Sequence, residues 1–295
     1  MASEASASSS TPNVSPVLVK ELRTRWDDLT SFVSAATKEK WWTAIYNNYS
    51  ARHFHNLDHL AHMLNLFDQY KDKLKDRYAM AFAIIFKHLE YDPKASDDAE
   101  KNAHKLREFC SETTFDQENY VANLIIESGS NCTDAHLSKT EFGADDIHYL
   151  IDFDMAYLGD VPEKYDEHSK NIHQEFGHLN ETEYREQRIK VLELFLQVPN
   201  IYATRDFRER FEDAARKNIQ HEIDSLNKQK LSEAVDAIKE GAKGGSKVKK
   251  FTTIEEMRES LTEFFASKDR DWYRSGIHQL EEQLQKMIES DGEYF

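Results

Sequence analysis

The chain has 295 residues, 31% of them charged, and carries a formal net charge of −16. A surface this acidic repels phosphate backbones and anionic lipid, which argues against nucleic acid and membrane as partners. Only 9 Gly and 5 Pro occur, so helix breakers and turn formers are scarce and an all-α fold is expected.

Residues 1–15 are rich in Ser and Ala, lack the apolar run of a secretory signal, and are expected to form a disordered tail. After Pro16, Val17, Leu18, Leu22, Trp26 and Leu29 recur at helical spacing. Trp41, Trp42, Ile45 and Tyr46 mark a second helix. His55 to Leu74 reads as a third, with Leu57, Leu60, Leu64 and Phe67 on one stripe. Arg77 to His88 is apolar on every side, which predicts the central buried helix, and Pro93 follows its end.

Asp97 to Cys110 is amphipathic, Gln117 to Glu127 forms another helix, and the polar residues 130–143 read as a loop. Helices follow at about 144–158, 162–176, 181–198 and 205–227, with Pro162 in a first turn and Pro199 at a break. The segment 241–250, GAKGGSKVKK, reads as a flexible basic linker between a helical domain at 16–240 and a helical extension at 251–295. That extension carries Leu261, Phe264, Phe265, Ile277, Leu280, Leu284 and Ile288. Its apolar stripes must pack on the domain, on a protein partner or in an oligomer. The two cysteines, Cys110 and Cys132, form no CxxC pattern and are expected to be reduced thiols in the cytoplasm. No segment approaches the roughly 20 apolar residues that cross a bilayer.

Three polar groups interrupt this apolar sequence. RHFHNLDHLAH places His55, His59 and His62 at i, i+4 and i+7, on one face if the segment is helical, and neutral imidazoles are ligands for divalent metals. Lys87, His88, Glu90 and Asp92 close the apolar helix. Asp152 and Asp154 sit in IDFDMAYLG, where a buried carboxylate is costly unless paired. Each has a plain alternative: a polar helix face, a helix end reaching solvent, and a cap or a partner for Arg52.

Together these segments resemble the family of predicted metal-dependent phosphohydrolases of the HD superfamily. That family shows R-x-Y-H-N-x-x-H-I, F-H-D-x-V-Y-D-P, N-E-x-x-S-A, T-x-x-H and L-D-x-D-L-x-x-L-G in this order. Here they correspond to RHFHNLDHL, FKHLEYDP, the DDAEKNA segment, Ser128 with Asn131, and LIDFDMAYLG, and the match covers roughly residues 17–227. The resemblance implies an all-α HD-domain-like bundle with a metal between central helices, held by His55 and Asp154, with His59 as a further candidate. The departures fall on the chemistry. The family's adjacent His-Asp pair is Lys87-His88, its Asn-Glu pair is Asp98-Ala99, its Ser is Asn102, and the Arg of its V-R-x-E-Y is His173 in IHQEF.

An ammonium has no lone pair for a metal. One expectation is therefore that Lys87 takes the metal's place, pairs with Asp154 or Asp152, and leaves a relative without a cofactor that binds a ligand or partner without hydrolysis. Arg52, Lys87, His59 and Asp152 would then contact the ligand. The other keeps hydrolysis of a small phosphorylated molecule, such as a nucleotide, by a divalent metal. A backbone distortion would bring His88 inward beside His55, His59 and Asp154, with Lys87, His88, Glu90 or Asp92 in catalytic roles.

Overall fold

The structure is a computed structural model that describes the backbone of residues 14–243 and the side chains of residues 14–233. Every regular element among the described residues is helical, and the fold is an all-α bundle. In chain order these are α1 (Pro16–Leu29), α2 (Ala35–Ser50), α3 (Leu57–Tyr70), α4 (Arg77–Lys87), α5 (Asp98–Ser111) and α6 (Glu118–Ser128). They continue with α7 (Asp134–Leu137), α8 (Asp146–Met155), α9 (Pro162–Glu175), α10 (Glu181–Gln197) and α11 (Arg205–Lys243). Short 3₁₀ turns follow α3 and α8, at Lys71–Lys73 and Ala156–Gly159. None of these helices is long and apolar enough to cross a membrane.

Two compact units divide the chain, Met1–Leu231 and Ser232–Phe295, and the core and the candidate site belong to the first. α11 continues past the expected end at 227 to Lys243. The rest of the linker, the extension at 251–295 and the tail at 1–13 lie outside the described residues.

α4 is the centre, as its all-round apolar sequence predicts. Every residue from Ala79 to Lys87 is buried, and α3, α5, α6 and α8 pack around it. The Asp76 carboxylate caps its start by accepting from the Tyr78 and Ala79 amides, a device worth about 1 kcal/mol. The buried Asp146 of α8 accepts from the Lys75 and Asp76 amides and from the Tyr120 hydroxyl, which locks α8 onto the same end. Trp26, Phe82, Phe86 and Phe109 stack edge-on or tilted, with ring centroids 5.4–6.4 Å apart, and fill the space between α1, α4 and α5. α5 approaches α6 so closely that a Cβ on Gly129 would stand 2.8 Å from the Ala99 Cβ.

Other boundaries also differ from expectation. The third helix begins at Leu57 rather than His55, because the Asn56 side chain accepts from the Asp58 and His59 amides and starts the helix there. The central helix stops at Lys87. The stretch 130–143 is not all loop: it contains α7, where the Thr133 and His136 side chains close a capping box.

Candidate functional site

At the C-terminal end of α4 the chain leaves helical geometry at His88, whose φ is −122° and ψ 25°. Side chains from elsewhere claim the freed backbone groups. The Arg52 guanidinium donates to the carbonyls of His88 and of Leu89, the latter at 2.7 Å. The Asn102 amide donates to the carbonyls of Lys87 and Glu90, at 2.8 and 2.9 Å, and its oxygen accepts from the Glu90 amide at 2.7 Å. A helix end so clamped is fully satisfied without continuing the helix.

The result is that two consecutive side chains point to the same place. On a continuing helix they would diverge by about 100°. Instead the Lys87 ammonium lies 3.3 Å from Asp154 Oδ2, and His88 Nε2 lies 2.9 Å from Asp154 Oδ1. From α3, His59 Nε2 reaches the same Oδ1 at 2.8 Å. The Lys87 ammonium also donates to the Ser128 carbonyl at 3.1 Å and hydroxyl at 3.0 Å. Lys87, His59 and Asp154 are only 6–7% exposed, so this is a buried cluster built by α3, α4, α6 and α8.

The charges follow from the donors. Burial pushes the His88 and His59 imidazoles down, His88 to about 3, so both are neutral at neutral pH. Burial alone would raise the Asp154 carboxyl. His88, the Lys87 ammonium and the hydrogen bond from His59 more than offset that and hold it well below the usual carboxylate range. An ionised carboxylate only accepts, so both rings donate from Nε2.

His55 does not join them. Standing before the Asn56 cap, it turns its Nδ1 to Glu175 Oε2 at 2.7 Å, and Glu175 Oε1 accepts from the Phe54 and His55 amides, each at 2.8 Å. Burial would raise the Glu175 carboxyl, but His55 and the two amides bring it down to about 2. His62 faces a second cavity of about 470 Å³. Its Nε2 is buried without a hydrogen-bond partner, and burial pushes the ring down to about 4.

Asp152 pairs with neither Arg52 nor Lys87. It is fully buried and accepts from the Ala203 amide at 2.8 Å, the Thr204 amide at 2.9 Å and the Thr204 hydroxyl at 2.6 Å, clasping the start of α11. Arg52 serves the end of α4 and stacks over Tyr49 and Tyr91, so it is a backbone clamp rather than a ligand contact. Glu90 and Asp92 stand outside the cavity beside this cluster, and Asp92 is exposed at a turn where its side chain accepts from the Lys94 amide. Neither is placed as a catalytic base.

That cavity measures about 550 Å³, and His55, Lys87, His88 and Asp154 form part of its wall. Its far side includes Arg188, which is held by Glu222 through bonds of 2.8 and 3.1 Å, while Glu222 also accepts from Tyr165 and Ser169. Sequence reasoning missed Glu175, Asn102's clamp and the Arg188–Glu222 pair. Glu175 lies inside the same IHQEF segment that drew attention only to His173, which instead stacks on Tyr184 at 4.0 Å.

A metal is the group that the sequence resemblance implies here. His59, His88 and Asp154 each offer a donor atom within 4.8 Å of the others, which suits three ligands. The rest of the site opposes a cation. An ammonium lies 3.3 Å from the second carboxylate oxygen, His55 is not part of the group of donors within 4.8 Å, and both Nε2 atoms would have to be freed of protons. The family's ligand set therefore does not fit. No protein family, curated protein or solved structure compared with this chain matches it.

Proposed function

We propose that this chain is a ligand-binding, non-hydrolytic relative of the HD-type phosphohydrolases, in which the Lys87 ammonium stands where those proteins hold a metal. The family link rests on the order and spacing of RHFHNLDHL, FKHLEYDP and LIDFDMAYLG. The observation that carries the reading is the buried Lys87 ammonium, held 3.3 Å from Asp154 Oδ2 and satisfied by both oxygens of Ser128. A cation fixed by three acceptors neutralises the carboxylate and leaves the cavity wall closed as a polar network. Hydrolysis of a phosphate ester would need a water activated by a metal, and the Lys87 ammonium stands against one there.

The test is a turnover screen of the full chain against nucleotides and simple phosphate esters with Mn, Co, Ni, Mg and Zn. The expected result is no hydrolysis with any of them. Turnover that disappears in His59→Ala or His88→Ala would overturn the proposal.

One observation favours a second reading. Three protein donors within 4.8 Å is the number that catalytic metal sites commonly supply, leaving a position open for water. In that reading Lys87 swings off Asp154 and both imidazoles shift their proton to Nδ1. A divalent metal held by His59, His88 and Asp154 would supply the Lewis acid for phosphoryl chemistry. The same screen decides between the two.

A further inference from the structure

The 550 Å³ cavity lies within the roughly 300–1,000 Å³ range of small-molecule sites, and its unsatisfied groups indicate what it accepts. Both cations in its wall are spoken for, Lys87 by Asp154 and Ser128, and Arg188 by Glu222. The loop amides that face this region are also used. Gly129, Ser130 and Asn131 donate to the carbonyls of Ile126, Glu127 and Ser128. The first turn of α5 borders the cavity too, but its own Asp98 and Glu100 occupy the place where an anion would gain from the helix dipole.

Two acceptors of the wall lack a hydrogen-bond donor. Asn131 Oδ1 is buried with no hydrogen-bond partner, although its residue is held at a φ of 53°, a conformation costly for a side-chain-bearing residue. Asp98 Oδ1 is likewise buried without a hydrogen bond, and is paired only loosely with Lys101, at 3.8 Å. A buried acceptor left unmade costs about 1–3 kcal/mol, which a ligand N–H would recover. Tyr157 and Phe176 line the same cavity and offer aromatic surface over which a cation is stabilised.

We propose that this cavity binds a protonated organic amine carried on an apolar body, its N–H groups taken by Asn131 Oδ1 and Asp98 Oδ1. This deepens the ligand-binding reading above and rests on it. A phosphate would meet Asp98 and Glu100 with no uncommitted cation in the wall, so the site discriminates against the family's expected substrate class.

The experiment is isothermal titration of the full chain at neutral pH with tryptamine and 2-phenylethylamine. Their charge-reversed counterparts, indole-3-propionate and 3-phenylpropionate, and inorganic phosphate are titrated alongside. The amines are expected to bind and the three anions not. Asn131→Gly keeps the backbone angle, since glycine accepts positive φ freely, and removes the side-chain amide with its acceptor. It should weaken amine binding by about tenfold, as should Asp98→Asn, with thermal melts confirming that each variant is folded. Tighter binding of any anion, no amine binding, or amine affinity unchanged in folded Asn131→Gly would each overturn the assignment. Metal content and turnover, which decide the non-hydrolytic reading, are measured separately, so the two ideas fail independently.

Discussion

Asp152 and Asp154 lie two residues apart on α8, both buried, and they face opposite worlds. At about 100° per residue their side chains diverge by roughly 200° around the helix axis. Asp152 meets two backbone amides and the Thr204 hydroxyl at the start of α11, all neutral donors, and burial pushes its carboxyl up to about 7. Asp154 meets an ammonium and two imidazoles on the wall of a cavity and is held well below its usual range. The first is a clasp that closes the fold. The second is a charge centre beside open space. In the bare sequence the two carboxylates are equivalent, and only their donors separate scaffold from site.

Removing a charge from the second centre should have the largest effect. Lys87→Ala leaves Asp154 buried without its cation and is expected to cost about 3–5 kcal/mol in urea unfolding, whereas a change below 1 kcal/mol would mean that the ammonium is dispensable.

Acid should act next. His88, held at about 3, and His62 and His136, held at about 4, are neutral in the fold but titrate near 6.5 when unfolded. The unfolded chain therefore binds more protons below pH 6.5, and stability falls by up to about 1.4 kcal/mol per pH unit for each such histidine, until the folded values are reached. Glu175, held at about 2, adds to the loss as the pH falls from the usual carboxylate range towards that value. Asp152 works the other way between its unfolded value and about 7, because the folded state holds its proton more firmly. Thermal melts from pH 7.5 to 3 check the sum, which is expected to be a net loss. A midpoint that rises on acidification would show the clasp outweighing the imidazoles.

The smallest effect should come from the clasp. Thr204→Val deletes one hydrogen bond to Asp152 and the hydroxyl facing the Phe207 amide, and is expected to cost about 1–2 kcal/mol without altering ligand binding in the cavity. A loss of binding in this variant would erase the distinction between the two aspartates.

Much of the fold was legible because it follows from local rules. The all-round apolar run from Ala79 to Phe86 could only be buried, Pro162 opened α9 as expected, and the scarcity of Gly and Pro marked an all-helical chain. The convergence of Lys87 and Asp154 was also within reach, since each sits in an apolar frame that demands a partner. The rest depends on distant residues. His55 looked like part of a helix because periodicity does not register an Asn56 cap one residue later. His88 looked misdirected because the clamp that turns it inward comes from Arg52 and Asn102, neither on α4. Glu175 is 120 residues from His55 in the chain and carries no spacing signal at all.

The central claim is that an ammonium has replaced an ion, and equilibrium dialysis against Co²⁺ or Zn²⁺ tests it most directly. The unaltered chain should bind less than one ion per molecule, and the double variant Lys87→His with His88→Asp, which rebuilds the adjacent pair, should bind one. An unaltered chain that retains one tightly held ion per molecule, lost on His59→Ala, would contradict the account and restore a working metal centre.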